Sequence, residues 1–145
     1  MSDVASSRSG SRSVARKLAL QALYRWQLND CPWQDLVSEF AGAEDMARAD
    51  GEYFRALVAG VTASRVELDA ALQPLLDRAP EHLDPIEHAV LLIGAHELRH
   101  CPEVPFRVVI NEAVALAKRF GATDGYRYIN GVLDRGARLW RQHEH

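Results

Sequence analysis

Apolar positions along this chain recur at three- and four-residue steps from about residue 13 to residue 140, the period of helices with one buried side. Ser13 is placed to cap a first helix whose stripe is Ala15, Leu18, Ala19, Ala22 and Trp26, widened by Leu20, Leu23 and Tyr24. Asn29-Asp30-Cys31-Pro32 ends it, because proline cannot continue a helix. A second helix, from Trp33 or Gln34 to Phe40, turns Leu36, Val37 and Phe40 inward, and a polar, acidic loop or weak helix follows from Gly42 to Asp50. Tyr53, Leu57, Val58 and Val61 define a third helix. Val66, Leu68, Leu72, Leu75 and Leu76 define a fourth, which stops at Ala79-Pro80. Asp84-Pro85-Ile86-Glu87 is a helix start with a capping aspartate, proline at the first helical position and a glutamate placed for a capping box. The helix it opens, to about His100, is apolar nearly all round and is expected at the centre of the core.

Two further helices close the chain. Val109, Ala113, Leu116, Ala117 and Phe120 share one face, and Gly121 follows Lys118 and Arg119, where positive charge suits a helix C-terminus. Thr123 or Asp124 is placed to cap the next helix, which carries Tyr126, Ile129, Leu133, Ala137 and Trp140 on one side. No period-two strand pattern and no internal repeat is present. The expected fold class is all-α, a compact domain of six to seven helices over 13–141. Residues 1–12, rich in Ser, Gly and Arg, read as a flexible basic tail.

Composition narrows the function. A chain of 145 residues that is 48% hydrophobic suits one domain with a sizeable core. No apolar run reaches the roughly 20 residues of a membrane span, and the N-terminus lacks a signal-peptide core. Cys31 and Cys101 have no CxxC spacing, so free thiols in a reducing cytoplasm are the simpler reading. The net charge of −3 is unevenly spread. Residues 1–25 hold five Lys/Arg against one Asp, 26–106 hold five against fifteen acidic residues, and 107–145 hold seven against four. Basic ends around an acidic middle suggest one surface for a polyanion and another for a basic partner, beside the plainer reading of an ordinary soluble surface.

Two sets of residues carry candidate chemistry. His96-Glu97-Leu98-Arg99-His100 is a literal H-E-x-x-H, which on a helix can bind zinc with the glutamate as general base. Nothing in the spacing of His82, His88 or Glu112 marks a third ligand, and Pro102 ends the helix directly afterwards. The competing reading is two helix histidines, one packed at a core edge and one favoured near the C-terminus. The second set is basic and aromatic. Single-stranded RNA is held by basic grooves with flat groups for stacking. Arg8, Arg12, Arg16 and Lys17 supply charge at one end, and Lys118, Arg119 and Arg127 with Tyr126 and Tyr128 at the other. Tyr126 falls on the apolar stripe, which leaves Tyr128 outward and free to stack or simply to be surface.

Four blocks of the chain resemble the NusB transcription antitermination family, in family order: ARKLALQALYRWQLN, YFRALVAGV, AVLLIGAHEL followed by VP, and INEAVALAKRFG with YINGVLD. The resemblance covers about residues 12 to 139 and implies two small helical bundles packed across each other. It implies a non-enzymatic factor, without cofactor or metal, that binds boxA-like single-stranded RNA jointly with the ribosomal protein NusE. With other Nus factors, such a factor helps the RNA polymerase elongation complex transcribe ribosomal RNA operons processively. Carried over by position, it implicates Arg12, Arg16, Asp124 and Tyr128 in RNA binding, and Tyr24, Glu81 and Glu87 in NusE binding. Ser13 and Val14 stand where the family commonly has further Arg or Lys, and His96 where an aromatic residue is usual. A zinc-dependent hydrolase on His96, Glu97 and His100, or an interaction module without RNA specificity, are the alternatives.

Overall fold

The computed structural model describes residues 2–144, with side chains from residue 8 onward. Among the described residues there are seven α-helices and no strand: α1 (Ser2–Leu28), α2 (Trp33–Phe40), α3 (Gly51–Ala63), α4 (Arg65–Leu72), α5 (Pro85–His100), α6 (Phe106–Phe120) and α7 (Gly125–Trp140). The all-α expectation holds. The helices form two compact units, divided between Ala63 and Ser64.

In the first unit, α1 packs on α3 through Ala15, Leu18, Ala19, Ala22 and Leu23, all at most 2% exposed, against a wall that includes the fully buried Phe54, Leu57 and Val58. The helix is longer than its apolar pattern predicts. Where a tail and a cap at Ser13 are expected, the backbone is already helical from Ser2, and the Ser13 hydroxyl donates to the Ser9 carbonyl at 3.1 Å. A serine that bonds back one turn lies inside a helix and does not start it. Asp50 then fastens the unit: its N–H donates to the Ser11 carbonyl at 3.0 Å, and its carboxylate accepts from the Tyr53 N–H at 3.0 Å, which caps α3.

The second unit is built around α5. Residues 88–98 of that helix are all buried, as its uninterrupted apolar pattern requires. Asp84 caps its start, accepting from the N–H groups of Ile86 at 3.0 Å and Glu87 at 3.1 Å. The expected reciprocal half of the capping box is absent, because the Glu87 side chain turns away toward α7. Gly94 lets α7 approach, since a Cβ there would lie 2.7 Å from the buried Leu133 Cδ1. Val66, expected in the core of α4, is 85% exposed; Leu68 and Leu72 carry that contact alone.

The far end of α5 is closed from outside the helix. Arg141, just past α7 and 6% exposed, donates from its guanidinium to the carbonyls of Leu98 at 2.6 Å, Glu97 at 3.0 Å and Cys101 at 2.9 Å, and pairs with Glu144. Of these, only the Leu98 carbonyl lacks a backbone donor, because the residue four positions on is Pro102; those of Glu97 and Cys101 also accept from the N–H groups of Cys101 and Val104. The cation meets the negative end of the helix dipole. Arg141→Ala should destabilise the protein by about 2–4 kcal/mol, because buried acceptors lose charged donors. Arg141→Lys should recover only part of this, since an ammonium lacks the fork that reaches three acceptors. Urea unfolding at neutral pH measures both.

Candidate nucleic-acid interface

The basic residues expected to meet a polyanion fall into two sets, one in each unit. In the first unit α1 presents Arg12, Arg16 and Lys17. Arg12 and Arg16 do point the same way, as their four-residue spacing requires, but toward α3: their guanidinium carbons lie 4.3 and 5.3 Å from the centre of the Tyr53 ring. Arg12 keeps about a quarter of its side chain in solvent and stands 3.6 Å from the Asp50 carboxylate. Arg16, implicated in RNA binding by the resemblance, is 3% exposed. The reason is geometric: α3 covers the flank of α1 that carries Arg16, where the Tyr53 ring faces its guanidinium. Lys17 is paired with Asp45. That bond, with a second from Arg48, holds the Asp45 carboxyl below the usual carboxylate range. Arg8 is exposed.

In the second unit the turn from α6 to α7 carries the other set. Lys118, Arg119, Asp124 and Arg127 are all exposed. Lys118 Nζ lies 4.7 Å and the Arg127 guanidinium 5.6 Å from the centre of the Tyr126 ring. Arg119 lies over Phe120 at 4.9 Å. The two tyrosines depart from the expected division into one core and one free ring, since both are half-buried. Tyr126 is the ring held between cations. The Tyr128 hydroxyl donates to the Asp77 carboxylate at 3.0 Å and accepts from the Asp77 N–H at 3.2 Å, with Arg78 5.3 Å over its ring. Hydrogen bonds from Arg78 and Tyr128 bring the Asp77 carboxyl down to about 2. No spacing rule pairs Tyr128 with a residue 51 positions away.

Neither Thr123 nor Asp124 caps α7 through a side chain. Asp124 instead adopts the left-handed conformation at φ 66°, the one non-glycine residue with positive φ among those described. Its carboxylate, 66% exposed, stands 3.6 Å from Arg127. Gly125 follows with reason: a Cβ there would lie 2.3 Å from the Glu87 Oε2. Glu87, expected to face a protein partner, is therefore 9% exposed with its carboxylate against the start of α7. Burial, then the nearby Asp84, raises its pKa. Of the other partner-facing residues, Glu81 is exposed and Tyr24 half-buried.

The H-E-x-x-H sequence does not form a metal centre. Glu97 is 1% exposed, His96 is 9% exposed with an unpartnered Nδ1, and His100 is engaged with Glu67 at 3.0 Å. Among the described residues no three His, Cys, Asp or Glu side chains converge as metal ligands. The buried glutamate has no open position from which to activate a water.

Comparison with known proteins follows the same direction. A family model described as NusB family matches residues 13–138. The transcription antitermination protein NusB of Thiobacillus denitrificans is 51% identical over 126 residues, which is 87% of this chain and 87% of that protein. NusB from T. maritima is similar in structure, with a TM-score of 0.78 at 25% identity over 88% of this chain and 90% of that one. A crystal structure of the antitermination factors NusB and NusE with double-stranded RNA gives a TM-score of 0.75 over 90% of this chain and 98% of that one. At 24% identity this last likeness is one of fold.

Asp124→Gly should stabilise the protein by about 0.5–1 kcal/mol in denaturant unfolding, because glycine takes up positive φ without the Cβ clash. His96 gives a pH dependence. Burial, and secondarily His100, lowers its pKa below 6.5 in the folded state. The unfolded chain therefore takes up a proton near pH 6.5 that the fold resists, and stability declines as pH falls from there toward the folded value. Thermal melts of His96→Phe should show a shallower loss between pH 7 and 5 than the parent.

Proposed function

Because the chain belongs to the NusB family, we propose that it is a transcription antitermination factor that holds boxA-like single-stranded RNA jointly with NusE. With NusE and other Nus factors it acts on the RNA polymerase elongation complex in the cytoplasm and keeps transcription of ribosomal RNA operons processive. No described helix is long and apolar enough to cross a membrane, in keeping with that setting.

The observation that carries the RNA reading is the α6–α7 turn: three exposed cations around half-buried aromatic rings on a rigid helical frame. This is the combination that non-helical nucleic acid requires, charge for phosphates and flat faces for bases. Lys118, Arg119 and Arg127 are the phosphate contacts of this proposal, and Asp124 contacts a base edge or sugar. Arg12 is the corresponding contact of the first unit, and it reaches a phosphate by exchanging the Asp50 carboxylate for it. Arg16, Lys17 and Tyr128 reach RNA only by giving up Tyr53, Asp45 and Asp77 respectively, so their larger part is to hold the frame.

NusE docks, in this reading, on the acidic middle of the chain through Glu81, with Tyr24 beside the exposed part of α1. Complementary charge sets encounter rate and orientation more than raw affinity. Glu87 supports the turn that bears Asp124 and meets NusE only if its carboxylate rotates outward.

Fluorescence anisotropy of a labelled boxA-type RNA and a scrambled control, with and without NusE, tests this. Tighter, sequence-selective binding in the presence of NusE is expected; equal weak binding of both RNAs under every condition would overturn the proposal. Lys118→Ala and Arg127→Ala should each lower the slope of log affinity against log salt by about 0.7, the value for one lost single-strand phosphate contact. Tyr128→Phe should keep affinity within about twofold if its ring stacks, whereas an equal loss in Tyr128→Phe and Tyr128→Ala would assign its role to the Asp77 tether.

A further inference from the structure

A groove of about 490 Å³ runs along the outer seam of α6 and α7, away from the turn, lined by Phe106, Arg107, Ile110, Asn111, Asp134 and Arg138. Its floor is apolar, with Ile110 7% exposed and Phe106 half-buried, and its rim carries two exposed arginines. Asp134 is the one acid in it and stands 3.4 Å from Arg138 at the surface, a pairing of little strength.

The groove does not end in isolation. On α6, Arg107, Asn111, Val114 and Lys118 are spaced by four, three and four, so they share one face; on α7 the same spacing joins Arg127, Gly131, Asp134 and Arg138. Because the groove brings Arg107 and Asn111 together with Asp134 and Arg138, the two faces border the same seam. At its other end Lys118 and Arg127 share the Tyr126 ring. The seam therefore has a pair of cations at each end, separated by about 16 Å at 1.5 Å per residue. Both ends also carry an aromatic ring, Tyr126 at the turn and Phe106, with Arg107 5.8 Å over it, in the groove.

We propose that this groove is an extension of the RNA site, in which the strand leaving the α6–α7 turn is held by Arg107 and Arg138 through its phosphates and by Phe106 through one base. The inference rests on the RNA-binding function proposed above. Charge complementarity and continuity with the turn select RNA as occupant. Four cations stand along the seam against three carboxylates: Asp134 in the groove, Asp124 beside Arg127 at the turn, and Glu144, which accepts from the Phe106 N–H at 3.2 Å. The cations are exposed on the rim and the balance is positive, which suits a phosphate backbone, and the small apolar floor suits a single stacked base.

The test compares two labelled RNAs bound to the protein with NusE: a short boxA-type RNA, and the same RNA lengthened by about six nucleotides of mixed sequence at each end. The longer RNA should bind about three- to tenfold more tightly near physiological salt, with a salt slope steeper by about 1.4 for two added phosphate contacts. The doubly substituted R107A/R138A protein should lose that advantage and keep its affinity for the short RNA. Both arginines are exposed, so the fold should survive; an unchanged melting temperature checks this. Equal affinity of the two RNAs for the parent, or an advantage retained in the double variant, would overturn the extension and leave the turn as RNA site. Failure of the parent to bind even the short RNA would overturn both. An acidic, leucine-containing peptide that binds the parent but not the double variant, with no effect of RNA length, would overturn the extension by assigning the groove to a protein.

Discussion

The second unit depends on a helix that has almost no solvent of its own. Because α5 is buried from residue 88 to residue 98 and Pro102 has no N–H to offer, the Leu98 carbonyl has neither water nor a backbone donor. Arg141 supplies the missing donor from just past α7 and adds charged bonds to the neighbouring carbonyls of Glu97 and Cys101, which ties the C-terminal ends of α5 and α7 together. Gly94 lets Leu133 of α7 lie against α5 in the middle, and Gly125 leaves room for the Glu87 carboxylate at the start of α7. The Arg141 bonds and close packing along one helix leave α7 little freedom to slide. The turn that precedes it inherits that rigidity.

Rigidity matters at this turn because the groups on it are long cations. Lys and Arg side chains lose considerable rotamer entropy when they are ordered on a ligand. Contact of Lys118 and Arg127 with Tyr126 restricts them before any ligand arrives, at surface cation–π strengths of about 0.5–1 kcal/mol that a phosphate readily replaces. The strained backbone of Asp124 adds a fixed direction to its carboxylate. Strain of this kind persists only where the surroundings hold it, and here the turn bonds from the Gly125 N–H to the Ala122 carbonyl and from the Arg127 N–H to the Asp124 carbonyl do so.

The same comparison of magnitudes separates available charge from structural charge. Exposed pairs such as Arg127 with Asp124 contribute about 0–1 kcal/mol and are easily exchanged. Arg16, buried against Tyr53, cannot leave without opening the α1–α3 contact, so its charge serves the fold of the first unit. Formal charge counts along a sequence treat these two classes alike. Burial separates them.

The helices are readable along the chain, because a 3.6-residue apolar period and proline and glycine breaks are local properties. So are the capped start of α5 at Asp84, the burial of that helix, and the basic character of the α6–α7 turn. The family blocks, too, were legible, since they are runs of adjacent residues. Pairings between residues far apart in the chain emerge only once the helices are packed. Tyr128 with Asp77, Arg141 with the end of α5, and Glu87 with Gly125 each join side chains from different elements, and no periodicity encodes which elements meet. The start of α1 and the exposure of Val66 and Arg16 went the same way. A helical wheel states which residues share a face, while the neighbouring helix that covers that face decides which of them remain in water.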